Sequence, residues 1–365
     1  MNIALDVMGG DYSPEETLKG ATLFLKERDS MVTFLGEQEL IEKYLEKFSF
    51  DKNKVRVIDC PEVISNEVLP LEAIKGKNNS PIMKAMDLLK EGEVDAFVSA
   101  GNSGAVMAAA LLNLGCLPGI SRPAIAVIIP TLNGNKVILD MGANVDCKPI
   151  HLLHFALMGA SYAKYVLDVE QPKVALLNIG EEMNKGNRLT REAYVLLKDR
   201  EDLNFIGNIE GRDIFMGTAD VMVCDGFIGN IVLKTAEGLS TMFMTDFKLS
   251  ILRNLPESQT TMLLKERFSD YASKRNYKTY GGAPLLGVNG LCFICHGRSK
   301  AEAIKNALHS ASLFAENKGL EHLKAIDFNS KDTSQDETQQ EANQKNSCYN
   351  TGIFNHGDSF ESDNN

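Results

Sequence analysis

The chain has 365 residues, 44% of them hydrophobic, which is enough for one large domain or two modest ones with a proper core. Its formal charge of −11 argues against general nucleic-acid binding, because a phosphate backbone needs a basic surface. Seven cysteines without disulfide-framework spacing fit reduced thiols in a cytosol. The first residues show no signal-peptide pattern and the apolar runs are too short to cross a bilayer. We therefore expect a cytoplasmic protein that at most lies on a membrane surface.

Short apolar or β-branched runs, typical of strands, alternate with longer stretches at helical spacing. The predicted strands cover 3–7, 32–35, 55–58, 96–99, 124–129, 137–139, 174–177 and 221–223. Helical patterns lie between most of them, and two of these begin after Pro14 and Pro149. A strand followed by a helix, repeated in this way, predicts a largely parallel sheet with helices on both faces.

Two parts of the C-terminal third depart from this pattern. Residues 246–278 carry seven Lys or Arg against four acidic residues, in two amphipathic helical pieces broken near Pro256. Residues 326–365 are rich in Ser, Asn, Gln and Asp, with two lysines against eight acids. We predict an α/β domain over 1–325, from which 246–278 projects, and a disordered acidic polar tail over 326–365.

Glycine clusters follow four predicted strands, at 8–11, 100–104, 140–144 and 225–230. In a doubly wound sheet, the loops at the carboxyl ends of the strands form the ligand crevice. Glycine there lets backbone N–H groups approach an anion, and the N-terminus of the following helix favours negative charge. The loops therefore predict a phosphate or carboxylate site.

Standard nucleotide-binding motifs are absent from the sequence. There is no Gly-x-Gly pair, which excludes the Rossmann dinucleotide fingerprint. Gly76 and Lys77 come nearest to a Walker A motif, but Leu71 stands at the position of its first glycine. The sequence thus combines anion-binding loops with no sign of a nucleotide cofactor.

Blocks of sequence that agree with a known family run in order along most of the chain. They cover 5–11, 99–105, 122–124, 139–144, 176–182 with 185–186, 207–213, 224–230, 280–287 and 296–297. In these blocks the chain closely resembles the phosphate acyltransferase family called PlsX. The departures are mild: Ser103 stands where the family usually has Thr, and Met183 and Asn184 precede Lys185 where an acidic residue is common.

The resemblance implies a Rossmann-like three-layer α/β/α sandwich, related to phosphotransacetylases and isopropylmalate dehydrogenases, with 246–278 as a protruding amphipathic helical pair. It implies that 1–325 is catalytic, that the enzyme is a homodimer, and that it works without metal or cofactor. The implied partners are acyl carrier protein, inorganic phosphate, an anionic membrane surface and a downstream glycerol-3-phosphate acyltransferase. Reversible binding to the membrane would make it a peripheral cytoplasmic enzyme.

The implied reaction is attack of a phosphate oxygen on a thioester carbonyl, giving an acyl phosphate and the free thiol of the carrier protein. The enzyme must place phosphate, offset its charge and stabilise the oxyanion, for which cations and amide donors suffice. The catalytic lysine of the family maps to Lys185, whose alternative is a solvated surface lysine. The side-chain amide of Asn230 is the second predicted catalytic group, with a helix N-cap as its alternative.

Other polar groups are predicted to bind the substrate or to support the loops. Asp225 either orients Lys185 or caps the helix that follows, and His296 either protonates the departing thiolate or has a structural role. Asp6 and Asp11 are expected to fix loop amides, because carboxylates would repel phosphate. The remaining predicted substrate-binding residues are Gly9, Gly10, Gly101, Asn102, Ser103, Gly104, Asn144 and Gly229.

Two further patterns invite other interpretations. Residues 292–296 spell Cys-x-x-Cys-His, the attachment pattern of c-type haem, but they lie in an apolar strand of a chain without export signals, so we expect no haem. His151 and His154 have metal-ligand spacing on a helix, yet no His or acidic cluster supports them, and helix packing is the favoured interpretation.

The basic helical pair is predicted to contact acyl carrier protein, anionic lipid or both, because each is acidic. An ordinary amphipathic helix packed on its own domain would explain its leucines but not its positive charge. The predicted contact residues are Lys248, Leu252, Arg253, Leu255, Lys265 and Arg267.

Two functions compete with acyl transfer from acyl carrier protein. One is a short-chain phosphotransacetylase that uses coenzyme A, which would share the fold and the anion loops. The other is a non-catalytic scaffold for lipid enzymes at a membrane surface, which the basic helices favour.

Overall fold

The computed structural model describes residues 1–48, 50–64, 70–251, 256, 258–274 and 281–328. The strands are β1 (Asn2–Asp6), β2 (Met31–Gly36), β3 (Val55–Asp59), β4 (Ala96–Ser99), β5 (Ala124–Ile125), β6 (Val127–Thr131), β7 (Gly134–Leu139), β8 (Lys173–Asn178), β9 (Asn204–Glu210), β10 (Val221–Val223), β11 (Ala283–Leu286) and β12 (Cys292–Ile294). The α-helices are α1 (Glu15–Glu27), α2 (Gln38–Lys47), α3 (Pro70–Ile74), α4 (Pro81–Glu91), α5 (Ser103–Asn113), α6 (Pro149–Val166), α7 (Arg188–Lys198), α8 (Gly226–Asp246), α9 (Gln259–Lys274), α10 (Ala301–Glu316) and α11 (Gly319–Lys324).

The first sheet has the strand order β3-β2-β1-β4-β12-β11-β5. β1 pairs in parallel with β2 and β4, and β12 pairs in parallel with β4. β11 runs antiparallel to both of its neighbours, β12 and β5. Because β11 reverses direction between them, β5 ends on the same side of the sheet as β1, β4 and β12. This side is the first carboxyl edge.

The second sheet has the order β6-β7-β10-β8-β9. β7, β10, β8 and β9 are parallel, whereas β6 is antiparallel to β7. Parallel strands come from strand–helix–strand units whose helices cover the faces, which explains their nearly continuous apolar sequences. The ends of β7, β10 and β8 lie next to one another and form the second carboxyl edge.

The run 124–129, predicted as one strand of one sheet, in fact joins two sheets. β5 pairs with β11 in the first sheet, and β6 pairs with β7 in the second. Between them, the fully buried Ala126 donates its amide to the carbonyl of Pro284 at 3.1 Å. The prediction of a single sheet was wrong in this respect, because an apolar pattern identifies a strand without identifying its partners.

Buried apolar clusters lie on both faces of each sheet, as a layered α/β fold requires. The largest cluster joins the two sheets, and in it the rings of Tyr162 from α6 and Phe314 from α10 meet edge to face at 5.1 Å. A second cluster fills the space between the first sheet and the helices α4 and α5, with Phe97 and Val106 among its members. The predicted fold class is confirmed.

Part of the predicted helical pair, 246–278, lies within the described residues. α8 continues into a π-helical turn at Phe247–Ile251, and α9 follows Pro256, so the predicted break near this proline is confirmed. The rings of Phe247 and Phe268 stack at 4.4 Å and connect the two pieces. Leu252, Arg253 and Leu255 lie outside the described residues. None of the described helices is long and apolar enough to span a bilayer.

The predicted boundary at residue 325 needs a correction. Phe328 is buried against the large core cluster, and its carbonyl lies 3.2 Å from Nε2 of His154. The carbonyl of Asp327 accepts a hydrogen bond from Arg200 at 2.9 Å. The packed body therefore includes residues up to 328, and the rest of the predicted tail, 329–365, lies outside the described residues.

Candidate active site

Asp6 organises the loop after β1, at the first carboxyl edge. Its Oδ1 accepts hydrogen bonds from the amides of Met8 at 3.0 Å and Gly9 at 2.9 Å, and its Oδ2 accepts from Ser99 Oγ at 2.7 Å. Burial raises the pKa of Asp6, and these hydrogen bonds partly offset the shift. The prediction that Asp6 fixes loop amides is confirmed.

The loops after β1 and β4 touch through their backbones. A Cβ on Gly9 would lie 2.6 Å from the amide nitrogen of Gly101, so only glycine permits this approach. Asn102 caps α5, with its side chain accepting from the amide of Ala105 at 3.0 Å, and Ser103 is exposed in the first turn of that helix. Two of the predicted glycine loops therefore form one site at the first edge.

His296 follows β12 and lies at the same edge. It is exposed, and its Nδ1 accepts a hydrogen bond from the amide of Arg298 at 3.0 Å. Asp11 makes a different contact from the one predicted, because its carboxylate lies 3.7 Å from Nε of Arg298. The amide of Asp11 donates to the carbonyl of Gly297 at 2.7 Å, which ties the loop after β1 to the end of β12.

Asp140 has the corresponding position after β7, at the second carboxyl edge. Its Oδ1 accepts from the amides of Ile125 and Ala143, both at 3.1 Å. Its Oδ2 accepts from the amide of Asn144 at 2.6 Å and from the side chain of the same residue at 2.8 Å. Burial raises the pKa of Asp140 to about 6 despite these four donors. Since Ile125 ends β5, Asp140 also joins the two edges.

Asn144 is predicted to donate to phosphate, but the structure uses its amide elsewhere. The side chain is buried, and its Nδ2 donates to Asp140 and to the carbonyl of Pro123 at 2.7 Å. Both hydrogens of the amide are therefore engaged within the protein. This geometry favours a role in holding the loop over direct binding of substrate.

The first turn of α8 packs directly against the Asp140 loop. A Cβ on Gly226 would lie 2.7 Å from the loop backbone, and one on Gly229 would overlap the carbonyl oxygen of Asp140. Asp225 is the N-cap of the helix and accepts from the amide of Ile228 at 2.8 Å. Of the two roles predicted for Asp225, capping is confirmed, whereas orientation of Lys185 stays a prediction.

Asn230 lies in the second turn of α8 and is exposed. The N-cap alternative for this residue is wrong, because Asp225 caps the helix. A Cβ on Gly142 would lie 3.6 Å from the Cβ of Asn230, so the side chain rises beside the Asp140 loop. Its amide forms no side-chain hydrogen bond within the described part of the chain, and it can donate to a ligand at the second edge.

Lys185 lies in the loop 179–187, between β8 and α7. Its amide donates to the carbonyl of Glu182 at 3.0 Å, and its side chain is exposed. Arg212, in the helical turn just after β9, pairs with Glu181 at 3.6 Å and with Glu210 at 3.2 Å. Lys185 itself has no ion-pair partner among the described side chains, so its ammonium group remains available to an anion.

Strand order brings the loops of the second edge together. Val223 of β10 pairs with Leu139 of β7 on one side, and β10 pairs with β8 on the other. Neighbouring strands lie about 4.8 Å apart, so the Asp140 loop, the start of α8 and the Lys185 loop stand side by side. The structure thus places Asn230, Gly229 and Lys185 at one edge, and Gly9, Gly101 and His296 at the other.

The haem-like and metal-like patterns have structural explanations. Cys292 and Cys295 are buried at and just after β12, and burial raises the pKa of each thiol to about 12. His151 and His154 are buried in α6, and burial lowers the pKa of each to about 4. Among the described residues, no group of three His, Cys, Asp or Glu side chains could hold a metal ion.

Two asparagines near Lys185 were missed by the sequence analysis. Asn178 ends β8 and Asn208 lies in β9, and both donate side-chain hydrogen bonds to the Lys185 loop. Both residues belong to the sequence blocks that resemble PlsX. The sequence contains no signal for their shared role, because it depends on the pairing of strands about 30 residues apart.

Two solved structures share the fold of this chain. EutD phosphotransacetylase from Staphylococcus aureus matches with a TM-score of 0.58 and 16% identity, covering 87% of this chain and 94% of that one. A phosphotransacetylase from Streptococcus pyogenes matches with a TM-score of 0.59 and 20% identity over the same shares. At such identities the likeness concerns the fold alone, which is that of phosphotransacetylase-like α/β proteins.

Sequence comparison identifies the family. The model of a family described as "Fatty acid synthesis protein" matches residues 1–321. Phosphate acyltransferase from Dictyoglomus thermophilum is 52% identical over 312 residues, which cover 85% of this chain and 93% of that protein. The enzyme of the same name from Pelotomaculum thermopropionicum is 46% identical over 325 residues, covering 89% and 94%. The chain therefore belongs to the phosphate acyltransferase family, and the resemblance seen in the sequence is confirmed.

Proposed function

We propose that this enzyme transfers a fatty acyl group from acyl carrier protein to inorganic phosphate, giving an acyl phosphate for phospholipid synthesis. The observation that carries the proposal is the ammonium group of Lys185, which has no ion-pair partner among the described residues and lies at the same carboxyl edge as the amide of Asn230, in a phosphate acyltransferase family member. The N-terminus of α8 adds a favourable potential for an anion at the same place.

The reaction needs few groups from the protein. A phosphate oxygen attacks the thioester carbonyl, the carbon–sulfur bond breaks, and the electron pair leaves with the carrier thiolate, which then takes up a proton. Lys185 offsets the charge of phosphate and of the oxyanion, and Asn230 donates a hydrogen bond to the oxyanion. Asp225 holds the start of α8, and His296 is the proposed proton donor to the thiolate.

Exposed apolar side chains near Lys185 support a long acyl group. Ile179 is 81% exposed and Met183 is 53% exposed, both in the Lys185 loop, and Phe227 is exposed in the first turn of α8. When a fatty chain covers these large apolar side chains, their apolar surface is removed from water, which is favourable. An acetyl group is too small to provide that cover.

Substitution of Lys185 tests the catalytic assignment. We expect Lys185→Ala to lower acyl phosphate formation from palmitoyl acyl carrier protein by about 10³-fold, as for the loss of one oxyanion-stabilising donor. Lys173→Ala, at the opposite end of β8, is the matched control and should keep full activity. Mass detection of acyl phosphate measures both, and unchanged turnover in Lys185→Ala would refute the assignment.

The coenzyme A alternative predicts a different substrate. Incorporation of labelled phosphate is compared with palmitoyl acyl carrier protein and with acetyl coenzyme A as donors. The proposal requires turnover with the carrier protein. Turnover with acetyl coenzyme A alone would show a short-chain phosphotransacetylase, and turnover with neither would favour the non-catalytic scaffold.

The helical pair is proposed as the contact with acyl carrier protein and with an anionic membrane. On α9, Met262 and Leu263 are mostly exposed, and Lys265 and Arg267 are exposed beside them. Lys248 is exposed in the π-helical turn. Exposed apolar side chains with adjacent cations match the chemistry of both proposed partners.

Vesicle sedimentation tests the membrane contact. We expect the double variant Met262→Gln with Leu263→Gln to lose binding to vesicles that contain phosphatidylglycerol, because it removes apolar area from the interface. Leu132→Gln, at a leucine that is 64% exposed in the β6–β7 turn, is the control. The pair Leu252 and Leu255, made polar together, gives a second variant. Undiminished binding of both variants would exclude the helical pair as the membrane contact.

We propose a homodimer as the functional unit. α8 exposes Leu239, Met242 and Phe243 on one face, the last of them at 63%. A second copy of the chain would cover such a face, as in obligate dimers. Analytical ultracentrifugation decides this point, since a monomer at micromolar concentration would contradict it. The acyl phosphate would then pass to a downstream glycerol-3-phosphate acyltransferase.

A further inference from the structure

The loop that carries Lys185 depends on polar contacts for its position. Ile179 and Met183, two of its large apolar side chains, face solvent and do not bury the loop in the core. Arg191 donates to the carbonyl of Gly186 at 2.6 Å, close to the start of α7. A loop with so little apolar burial is held by its hydrogen bonds, and its fixed points decide where Lys185 stands.

Asn208 provides one fixed point. The residue is buried in β9, with 7% of its area exposed, and its Nδ2 donates to the carbonyl of Glu182 at 3.0 Å. Its Oδ1 is also buried and has no hydrogen-bond partner among the described residues. A buried acceptor without a partner is unfavourable for stability. The favourable contribution of Asn208 is therefore the hydrogen bond that its Nδ2 donates to the loop.

Asn178 provides the second fixed point. Its Oδ1 accepts from the amide of Ile179 at 2.9 Å, and its Nδ2 donates to the carbonyl of Lys185 at 3.3 Å. Gly186 has φ +90°, and a Cβ there would overlap the amide of Asn178. Glycine at 186 is thus what lets the asparagine close the loop onto the end of β8.

The stem of the lysine side chain passes close to a glycine of its own loop. A Cβ on Gly180 would lie 2.9 Å from Cγ of Lys185, so the stem of the lysine crosses this glycine. Its backbone is held through Asn178 directly and through Glu182, whose carbonyl accepts from both Asn208 and the amide of Lys185. Two asparagine side chains thus connect β8 and β9 to the backbone of the Lys185 loop.

We infer that Asn178 and Asn208 are positioning residues that form a clamp of two carboxamides and hold Lys185 for acyl transfer. The inference rests on the proposed function, in which Lys185 is catalytic. Neither asparagine touches the reacting atoms. The clamp acts on turnover through the lysine, because a displacement of about 1 Å at a catalytic group can lower a rate by about 10²-fold.

Asn208→Leu tests the clamp, because leucine has a similar shape and removes both the donor and the unpaired acceptor. We expect kcat to fall by at least about tenfold, with each KM within about twofold of the wild type and an unchanged or raised Tm. Asn133→Leu is the matched control. Asn133 donates to the carbonyl of Met216 at 2.9 Å, at the opposite edge of the same sheet, and its loss should leave kcat unchanged.

A double variant separates positioning from general damage. When Lys185 is already alanine, adding Asn208→Leu should not lower the residual rate further, because the clamp acts only through the lysine. A full kcat in Asn208→Leu, or an equal loss in both backgrounds, would overturn the inference. If Asn208→Leu does not fold, Asn178→Ala gives the same comparison. Full turnover in Lys185→Ala alone would instead refute the catalytic lysine, which is a separate failure.

Discussion

The two carboxyl edges are built in the same way and differ in what stands beside them. At each edge a buried aspartate, Asp6 or Asp140, stands at the end of a parallel strand and accepts hydrogen bonds from the amides of the next loop. Burial raises the pKa of both carboxyl groups. At each edge a glycine of that loop or of its neighbour permits backbone contact with the adjoining loop.

The two edges differ in the polar side chains that lie beside the aspartate loop. The first edge presents Ser103 and His296, whereas the second presents Asn230 and Lys185, whose ammonium group has no ion-pair partner in the described part of the chain. The aspartate and glycine pattern is therefore a scaffold that shapes a loop, and it does not define a chemistry by itself. The groups proposed to react at the second edge lie in the loop after β8 and in α8, which flank the scaffold.

The largest expected effect concerns the packing of α8 on this scaffold. Gly229→Ala would place a Cβ inside the carbonyl oxygen of Asp140, so we expect a loss of more than about 4 kcal/mol of stability, or no folded protein. Gly238→Ala, in the same helix with open space around it, should gain about 1 kcal/mol. Urea unfolding of both variants measures the contrast. Equal stabilities would show that α8 does not press on the loop.

The buried carboxyl group of Asp140, at the second edge, should make the free energy of unfolding depend on pH. The folded pKa of Asp140, about 6, lies above its unfolded value, so the folded state binds this proton more tightly. The wild type therefore loses about 3 kcal/mol through this group as pH rises from about 4 to 6. Asp140→Asn lacks the titration, so the stability advantage of the wild type should shrink over that range. A constant difference between the two proteins would contradict the raised pKa.

Asn230 tests whether the second edge carries the chemistry. We expect Asn230→Ala to lower kcat about 10²-fold, the usual cost of one donor to an oxyanion, with little change in the free energy of unfolding. Thr235→Ala, exposed further along the same helix, should keep kcat. Steady-state rates of acyl phosphate formation provide the measurement. A variant with normal kcat and raised KM would assign Asn230 to ground-state binding instead.

The sequence predicted the parts of each edge better than their assembly. The strands before Asp6 and Asp140 and the glycines after them follow from local patterns, and motif resemblance indicated Lys185. β9 was missed because polar residues and a glycine interrupt its apolar alternation, and a register shift next to Leu176 brings Asn208 opposite that residue. Such pairings join residues far apart in the chain, and local patterns carry no information about them.

Substitution of Ser103 tests whether the first edge binds phosphate. Its expected effect on the kinetics is the smallest. If this edge helps to bind phosphate, Ser103→Ala should raise the KM for phosphate by about fivefold, the cost of one hydrogen bond near 1 kcal/mol, and leave kcat unchanged. Ser103→Thr keeps the hydroxyl and should restore the wild-type KM. Phosphate titration at saturating acyl carrier protein measures both variants. An unchanged KM in Ser103→Ala would mean that phosphate is bound at the second edge alone, and the first edge would then serve to fix the loops between the sheets.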